Sequence, residues 1–150
     1  MKLSIPPLVQ FLIGGLLSWS FASLFDEATL SIPLGSGLGL LLIGIGTGIL
    51  ALSVLSFIRA KTTVNPVSPE NASVLVTNGL YRYSRNPMYL AMAMVLIGYA
   101  FLVQNLAAFA GPILFMVGMT ILQIKPEEQV LREKFGDEYE AYCNQTRRWL

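Results

Sequence analysis

Four stretches of this chain carry no charged residue and are long enough to cross a bilayer: about Ile5 to Phe25, Gly37 to Ile58, Pro87 to Val103 and Leu106 to Ile124. A hydrocarbon core about 30 Å thick takes roughly 20 helical residues. Inside that core each backbone N–H and C=O must be satisfied within its own segment, which a helix does and an open loop does not. Composition agrees, with 54% hydrophobic and 13% charged residues among 150 and a mean hydropathy of +0.60, far from the balance of a soluble domain. The expected fold is therefore all-α: an integral membrane bundle of about four transmembrane helices forming one domain over residues 1–150. A loop at 59–86 and a tail at 125–150 share one face, and the tail carries an amphipathic helix. Lys2 before an apolar run and Ala22-Ser23 near its end imitate a signal peptide, but the apolar length favours a retained helix.

The spacing of these stretches constrains their arrangement. Little more than Gln104-Asn105 separates the third from the fourth, which predicts a tight antiparallel hairpin, and Pro112 predicts a kink inside the fourth. The second carries Gly35, Gly37, Gly39, Gly44, Gly46 and Gly48, small residues that let helices approach closely in lipid and so predict a packing face. Four spans put the N-terminus, the 59–86 connection and the tail on one side, with Asp26-Glu27 and Gln104-Asn105 on the other. All ten Lys and Arg residues fall on the first side, which the positive-inside rule makes cytoplasmic. A bacterial inner membrane with both termini in the cytoplasm is the expected location. On that topology the Asn71-Ala72-Ser73 sequon has no meaning. Turn signals at Asn65-Pro66, Ser68-Pro69 and Asn78-Gly79, with a short β-like run at Val74 to Val76, predict an ordered loop along the membrane face.

Several chemistries are excluded. One cysteine, Cys143, and no histidine leave no disulfide framework, no Cys/His metal cluster and no histidine acid/base catalysis. A net charge of +1 with basic residues tied to membrane boundaries gives no nucleic-acid patch.

Two polar clusters remain. Asn78 to Tyr89 sets two arginines, an Asn-Pro step and several tyrosines at the mouth of the third stretch. Lys125 to Tyr142 follows the fourth, with Glu127-Glu128 after Pro126 and then Leu131, Phe135, Tyr139 and Tyr142 at helical spacing. Each cluster alone has a plain explanation, since tyrosine and arginine favour interfaces, proline starts helices and carboxylates favour a helix N-terminus. Their convergence is more telling. Both emerge from one hairpin on one side, so arginines, glutamates and tyrosines can surround a single pocket that opens toward lipid.

The run Gly79-Leu80-Tyr81-Arg82-Tyr83-Ser84-Arg85-Asn86-Pro87-Met88-Tyr89 is followed, after the hairpin, by Glu127-Glu128-x-x-Leu131-x-x-x-Phe135-Gly136-x-x-Tyr139-x-x-Tyr142 and Arg148-Trp149. Over roughly the C-terminal half this resembles the isoprenylcysteine carboxyl methyltransferase and phospholipid methyltransferase superfamily. The resemblance implies transfer of a methyl group from S-adenosylmethionine to a small or lipophilic acceptor arriving from the membrane lipid, with no metal. It assigns Leu80, Tyr81, Arg85, Asn86, Pro87 and Tyr89 to one wall of the cofactor site and Glu127, Glu128, Tyr139 and Tyr142 to the other. Arg85 and Glu128 are the implied catalytic pair, Arg85 orienting a carboxylate and Glu128 holding amino or ribose groups. Lys134 and Arg148 are implied to meet the acceptor. Asn86 stands where many relatives carry histidine; an amide hydrogen-bonds but shuttles no proton at neutral pH, so its implied role is binding.

Two other readings stay open at this level. One is an NADPH-dependent membrane reductase of the sterol reductase type, and the other a non-enzymatic scaffold or transporter subunit. A reductase would need further basic residues for the 2′-phosphate. A transporter usually places ionisable groups at mid-membrane, and these four stretches have none.

Overall fold

The computed structural model describes residues 5–59 and 74–150. Helices α1 (Pro7–Leu24), α2 (Gly35–Arg59) and α3 (Pro87–Val103) precede a long helical rod. The rod begins with a 3-10 turn at Leu106–Phe109, continues as α4 (Ala110–Gly118), widens into a π-helix at Met119–Ile124 and runs on as α5 (Lys125–Phe135). The last element is α6 (Asp137–Gln145). Pro7 and Pro87 each occupy the first turn of their helix, where a fixed φ is favourable and a missing N–H costs no bond.

The all-α membrane architecture holds. Pro7–Leu24, Gly35–Arg59 and the 30-residue rod Leu106–Phe135 are each long and apolar enough to cross a bilayer. The uncharged part of the rod ends at Ile124, where Lys125-Pro126-Glu127-Glu128 begins. At 17 residues, or about 25 Å at 1.5 Å per residue, α3 is shorter than the other three. It lies against α1, α2 and α4 and buries Ala91, Ala93, Leu96, Gly98 and Ala100. Leu8, Leu12, Leu40, Leu52, Ile113 and Ile121 are exposed on the outer helices, as lipid-facing side chains should be.

Packing follows small residues. A Cβ built on Gly39 would lie 2.7 Å from the Gly98 carbonyl oxygen, one on Gly98 2.6 Å from that of Gly39, and one on Gly46 2.9 Å from that of Ala91. These contacts seat α2 directly on α3, backbone against backbone. The α1–α4 contact works similarly at Gly111, whose added Cβ would lie 2.4 Å from the Gly14 carbonyl oxygen. Only part of the expected glycine face serves this purpose, because nothing lies within 4 Å of a Cβ on Gly37, Gly44 or Gly48.

The tight hairpin is present and is fastened to its neighbours. Gln104 adopts the left-handed conformation (φ 52°) and its N–H meets the carbonyls of Ala100 and Phe101. Asn105, buried, donates to the Phe25 carbonyl at 2.9 Å and accepts from the Ala107 N–H at 2.8 Å, while Leu30 N–H donates to the Gln104 carbonyl at 2.7 Å. The turn thereby ties the α1–α2 connection to the α3–α4 hairpin at the end remote from the arginines.

Three expectations need correction. Pro112 does not kink the rod in mid-span; it lies in the first turn of α4, where its missing N–H is harmless. The irregularity is the π-helix just ahead of Pro126, whose ring crowds the carbonyl four residues back and which donates no N–H, so the widened turn accommodates both defects. The tail is not one amphipathic helix, because Gly136 (φ +50°) breaks it and folds α6 back. Val74 to Val76 forms no strand, and among the described residues the β pairing is an isolated bridge between Thr29 and Asn105. The signals at Asn65-Pro66, Ser68-Pro69 and Asn71 lie outside the described residues.

Gly98→Ala and Gly111→Ala should each lose about 1 to 3 kcal/mol to overpacking, read as a lowered melting temperature in detergent. Gly44→Ala should be neutral or slightly stabilising, since it adds helix propensity without a clash.

Candidate active site

Both polar clusters meet beyond the arginine-bearing end of the bundle. The 3-10 turn Gly79–Arg82 and the N-terminus of α3 bring Tyr81, Arg85 and Asn86 to one side. The rod brings Glu127, Glu128 and Leu131 to the other. The reversal at Gly136 then lays α6 across them, so that Tyr139 and Tyr142 complete the wall with Leu75 and Val76. These side chains enclose a cavity of about 70 Å³. A second, wider groove of about 360 Å³ lies on the other side of Leu75 and Val76, which line both, and is bordered by Ser56, Arg59 and Asn78.

The neighbouring glutamates have different partners. Glu128 is clasped by two guanidinium groups: Arg148 donates through Nε to Oε1 at 2.9 Å and through Nη2 to Oε2 at 2.7 Å, and Arg85 Nη2 donates to Oε1 at 3.0 Å. Burial alone would raise this carboxyl, but the bonds from Arg148 and Arg85 outweigh it and hold the group below the usual carboxylate range. Glu127 receives its hydrogen bonds from neutral donors, Tyr89 at 2.8 Å and Gln123. It forms no ion pair among the described residues. Burial pushes its carboxyl up to about 7, opposed by the bonds from Gln123 and Tyr89 and assisted by the charge of Glu128. Tyr81, Tyr139 and Tyr142 are pushed well above the ordinary phenol range, chiefly by burial, and stay neutral.

Arg85 is the hub. Besides Glu128, its guanidinium donates to the carbonyls of Cys143 and Thr146, and its backbone N–H donates to the Arg147 carbonyl at 2.9 Å. Its Nε is buried without an acceptor among the described residues. Asn86 Nδ2 donates to the Arg148 carbonyl at 3.0 Å, Tyr142 donates to the Tyr81 carbonyl at 2.6 Å, and Trp149 Nε1 reaches Thr120 Oγ1 at 3.3 Å beside the π-helix.

Seven of the residues named from sequence therefore share one cavity: Tyr81, Arg85, Asn86, Glu127, Glu128, Tyr139 and Tyr142. The others sit elsewhere. Leu80 faces the groove that also contains Arg59 and Tyr83. Pro87 is fully buried at the start of α3, and Tyr89 stands behind Glu127 as its hydrogen-bond donor. Lys134 is exposed on α5 and does not line the cavity, while Arg148 is engaged with Glu128. Sequence reasoning missed Leu75, Val76 and Gln123. The first two carry only an apolar signal, but Gln123 was findable as an amide at the end of an apolar span, four residues before Glu127 and so on the same helix face.

The model of the phospholipid methyltransferase family matches residues 35–138, which include Tyr81, Arg85, Asn86, Glu127 and Glu128 of the cavity and stop just short of Tyr139 and Tyr142. A Haemophilus influenzae protein described as uncharacterized is 40% identical over 63 residues, 42% of this chain and all of that protein. Two rice proteins, from Oryza sativa subspecies indica and japonica, each called a probable protein-S-isoprenylcysteine O-methyltransferase, are 31% identical over 111 residues. That match covers 74% of this chain, and the chain spans 58% of the rice proteins' length. No solved structure matches. With the family model covering most of the chain, and with membrane-crossing helices that end at a shared cavity, the chain belongs to the phospholipid methyltransferase family of integral membrane methyltransferases.

Proposed function

We propose that the protein transfers a methyl group from S-adenosylmethionine to a lipophilic acceptor that reaches the cavity from the bilayer, at a site on the cytoplasmic face. The observation that carries this reading is the meeting of Arg85, both glutamates and three tyrosines in one cavity beside a hairpin that lies within the residues the family model matches. The residues fit such a donor in charge. Among the described residues the buried Arg85 Nε lacks an acceptor and suits a carboxylate, while Glu127 lacks a cation and suits a positive group.

Size is the second test. The cavity is small, about 70 Å³. It takes the reacting end of such a molecule and not its nucleoside. The 360 Å³ groove across Leu75 and Val76 falls within the range of small-molecule sites and offers room for the remainder. When bound, S-adenosylmethionine supplies a methyl group already activated on sulfonium sulfur. The chain then has to align the acceptor, exclude water and balance charge. Tyr81, Tyr139 and Tyr142, neutral and buried, keep the cavity dry, and Arg85 and Asn86 fix its edge through the carbonyls of the C-terminal segment. All the described Lys and Arg residues lie at this end of the bundle, which supports the cytoplasmic assignment.

Isothermal titration of the full chain in detergent should show micromolar binding of S-adenosylmethionine and its demethylated product and none of NADPH. Arg85→Lys keeps a cation near Glu128 but loses Nε and the planar fork, and should weaken the first two by about tenfold or more. NADPH binding in their place would return the reductase to consideration. The raised Glu127 carboxyl also sets a pH dependence. The folded state binds the extra proton between the unfolded pKa near 4.5 and about 7, so stability is greatest below that window and falls as pH rises through it. Melting temperatures from pH 5 to 8 should fall in the unsubstituted protein and stay flatter in Glu127→Gln.

A further inference from the structure

Glu127 and Glu128 are adjacent in sequence and line the same cavity, yet their surroundings leave them with opposite capacities. Glu128 already has its negative charge met by two arginines through three hydrogen bonds that occupy both oxygens. An arriving cation would gain little from it and would meet the guanidinium groups first. Among the described residues Glu127 has only neutral donors, Tyr89 and Gln123, and these orient the group without supplying a countercharge. It shares the cavity with the aromatic side chains of Tyr81, Tyr139 and Tyr142. A carboxylate beside several tyrosines in a water-poor recess is the donor set that recognises an onium group, because ring quadrupoles and the carboxylate both attract a diffuse positive charge. The recess is small, about 70 Å³, which suits a compact head group.

We infer that Glu127, with Tyr81, Tyr139 and Tyr142, forms the subsite for the ligand's onium centre, and that Glu128 is a positioning residue that acts through Arg85 and Arg148. The assignment rests on the methyl-donor reading above and sharpens it: the adjacent glutamates divide into one that meets charge on the ligand and one that meets charge on the protein. Discrimination between the sulfonium donor and its thioether product, which differ at the reacting sulfur by one methyl group and one positive charge, then belongs to Glu127.

The test is the ratio of dissociation constants for S-adenosylmethionine and S-adenosylhomocysteine, measured by titration on the full chain in detergent, with melting temperature followed in parallel. The unsubstituted protein should favour the sulfonium by at least about tenfold, the range for an opposite charge within contact of a buried group. Glu127→Gln should bring that preference close to unity while product affinity changes little and the melting temperature does not fall. Glu127→Asp, which keeps the charge on a shorter arm, should retain part of the preference. Glu128→Gln should weaken both ligands by a similar factor and lower the melting temperature, because two arginines lose their shared partner. A preference that survives Glu127→Gln, or one that collapses in Glu128→Gln alone, overturns the assignment while leaving the donor reading intact. Binding of neither ligand by the unsubstituted protein overturns the donor reading, and this assignment with it.

Discussion

The buried carboxylate of Glu128 organises the end of this molecule where the chemistry is placed. A carboxylate withdrawn from water costs several kcal/mol unless charge and hydrogen bonds replace its hydration. Here Arg85 and Arg148 replace it, and each brings a different part of the chain. Arg85 precedes α3, Glu128 stands on the rod, and Arg148 follows α6, so one ionic cluster joins three segments that are distant in sequence. Arg85 then extends the cluster to the carbonyls of Cys143 and Thr146. Together with the bonds of Asn86 to the Arg148 carbonyl and of Tyr142 to the Tyr81 carbonyl, the cluster holds the C-terminal segment against the start of α3, where it walls the cavity.

The bundle supplies the geometry that makes this clasp possible. In lipid there is little hydrophobic gain in bringing helices together, so association depends on close packing. Glycines at 39, 46, 98 and 111 remove the side chains that would hold the backbones apart. Asn105 secures the opposite end by bonding to the α1 terminus and to its own turn. With both ends of the α3–rod hairpin fixed, Tyr89 on α3 reaches Glu127 on the rod, and the cavity sits above a packed base formed by Tyr89, Leu96, Phe115 and Met119.

The helices and much of the site were legible in the sequence because they rest on strong, one-dimensional signals. Uncharged runs of span length located the helices to within a few residues, except that α5 fuses with the fourth span. Pro87 and the Gln104-Asn105 turn marked the limits of α3. Tyr81, Arg85, Asn86, Glu127, Glu128, Tyr139 and Tyr142 were legible because two motifs flank one hairpin. What escaped depended on three-dimensional context. Nothing in the order of residues 125–150 says that Arg148 returns to Glu128, since the return requires the reversal at Gly136. The unequal surroundings of Glu127 and Glu128 were likewise invisible, because adjacent identical residues differ only in what the fold brings near. The helical spacing of Leu131, Phe135, Tyr139 and Tyr142 was real, but it is divided between two helices.

The unbroken rod has a mechanical consequence. From Leu106 to Phe135 it runs for 30 residues, about 45 Å at 1.5 Å per residue, so the part embedded in hydrocarbon and the part bearing both glutamates form one lever. Its partner arginines are mounted separately, one ahead of the shorter α3 and one after α6. Spanning helices adjust to bilayers of different thickness by tilting. Because Arg85 and Arg148 both hold Glu128, a tilt of this lever is passed to the start of α3 and to the segment after α6.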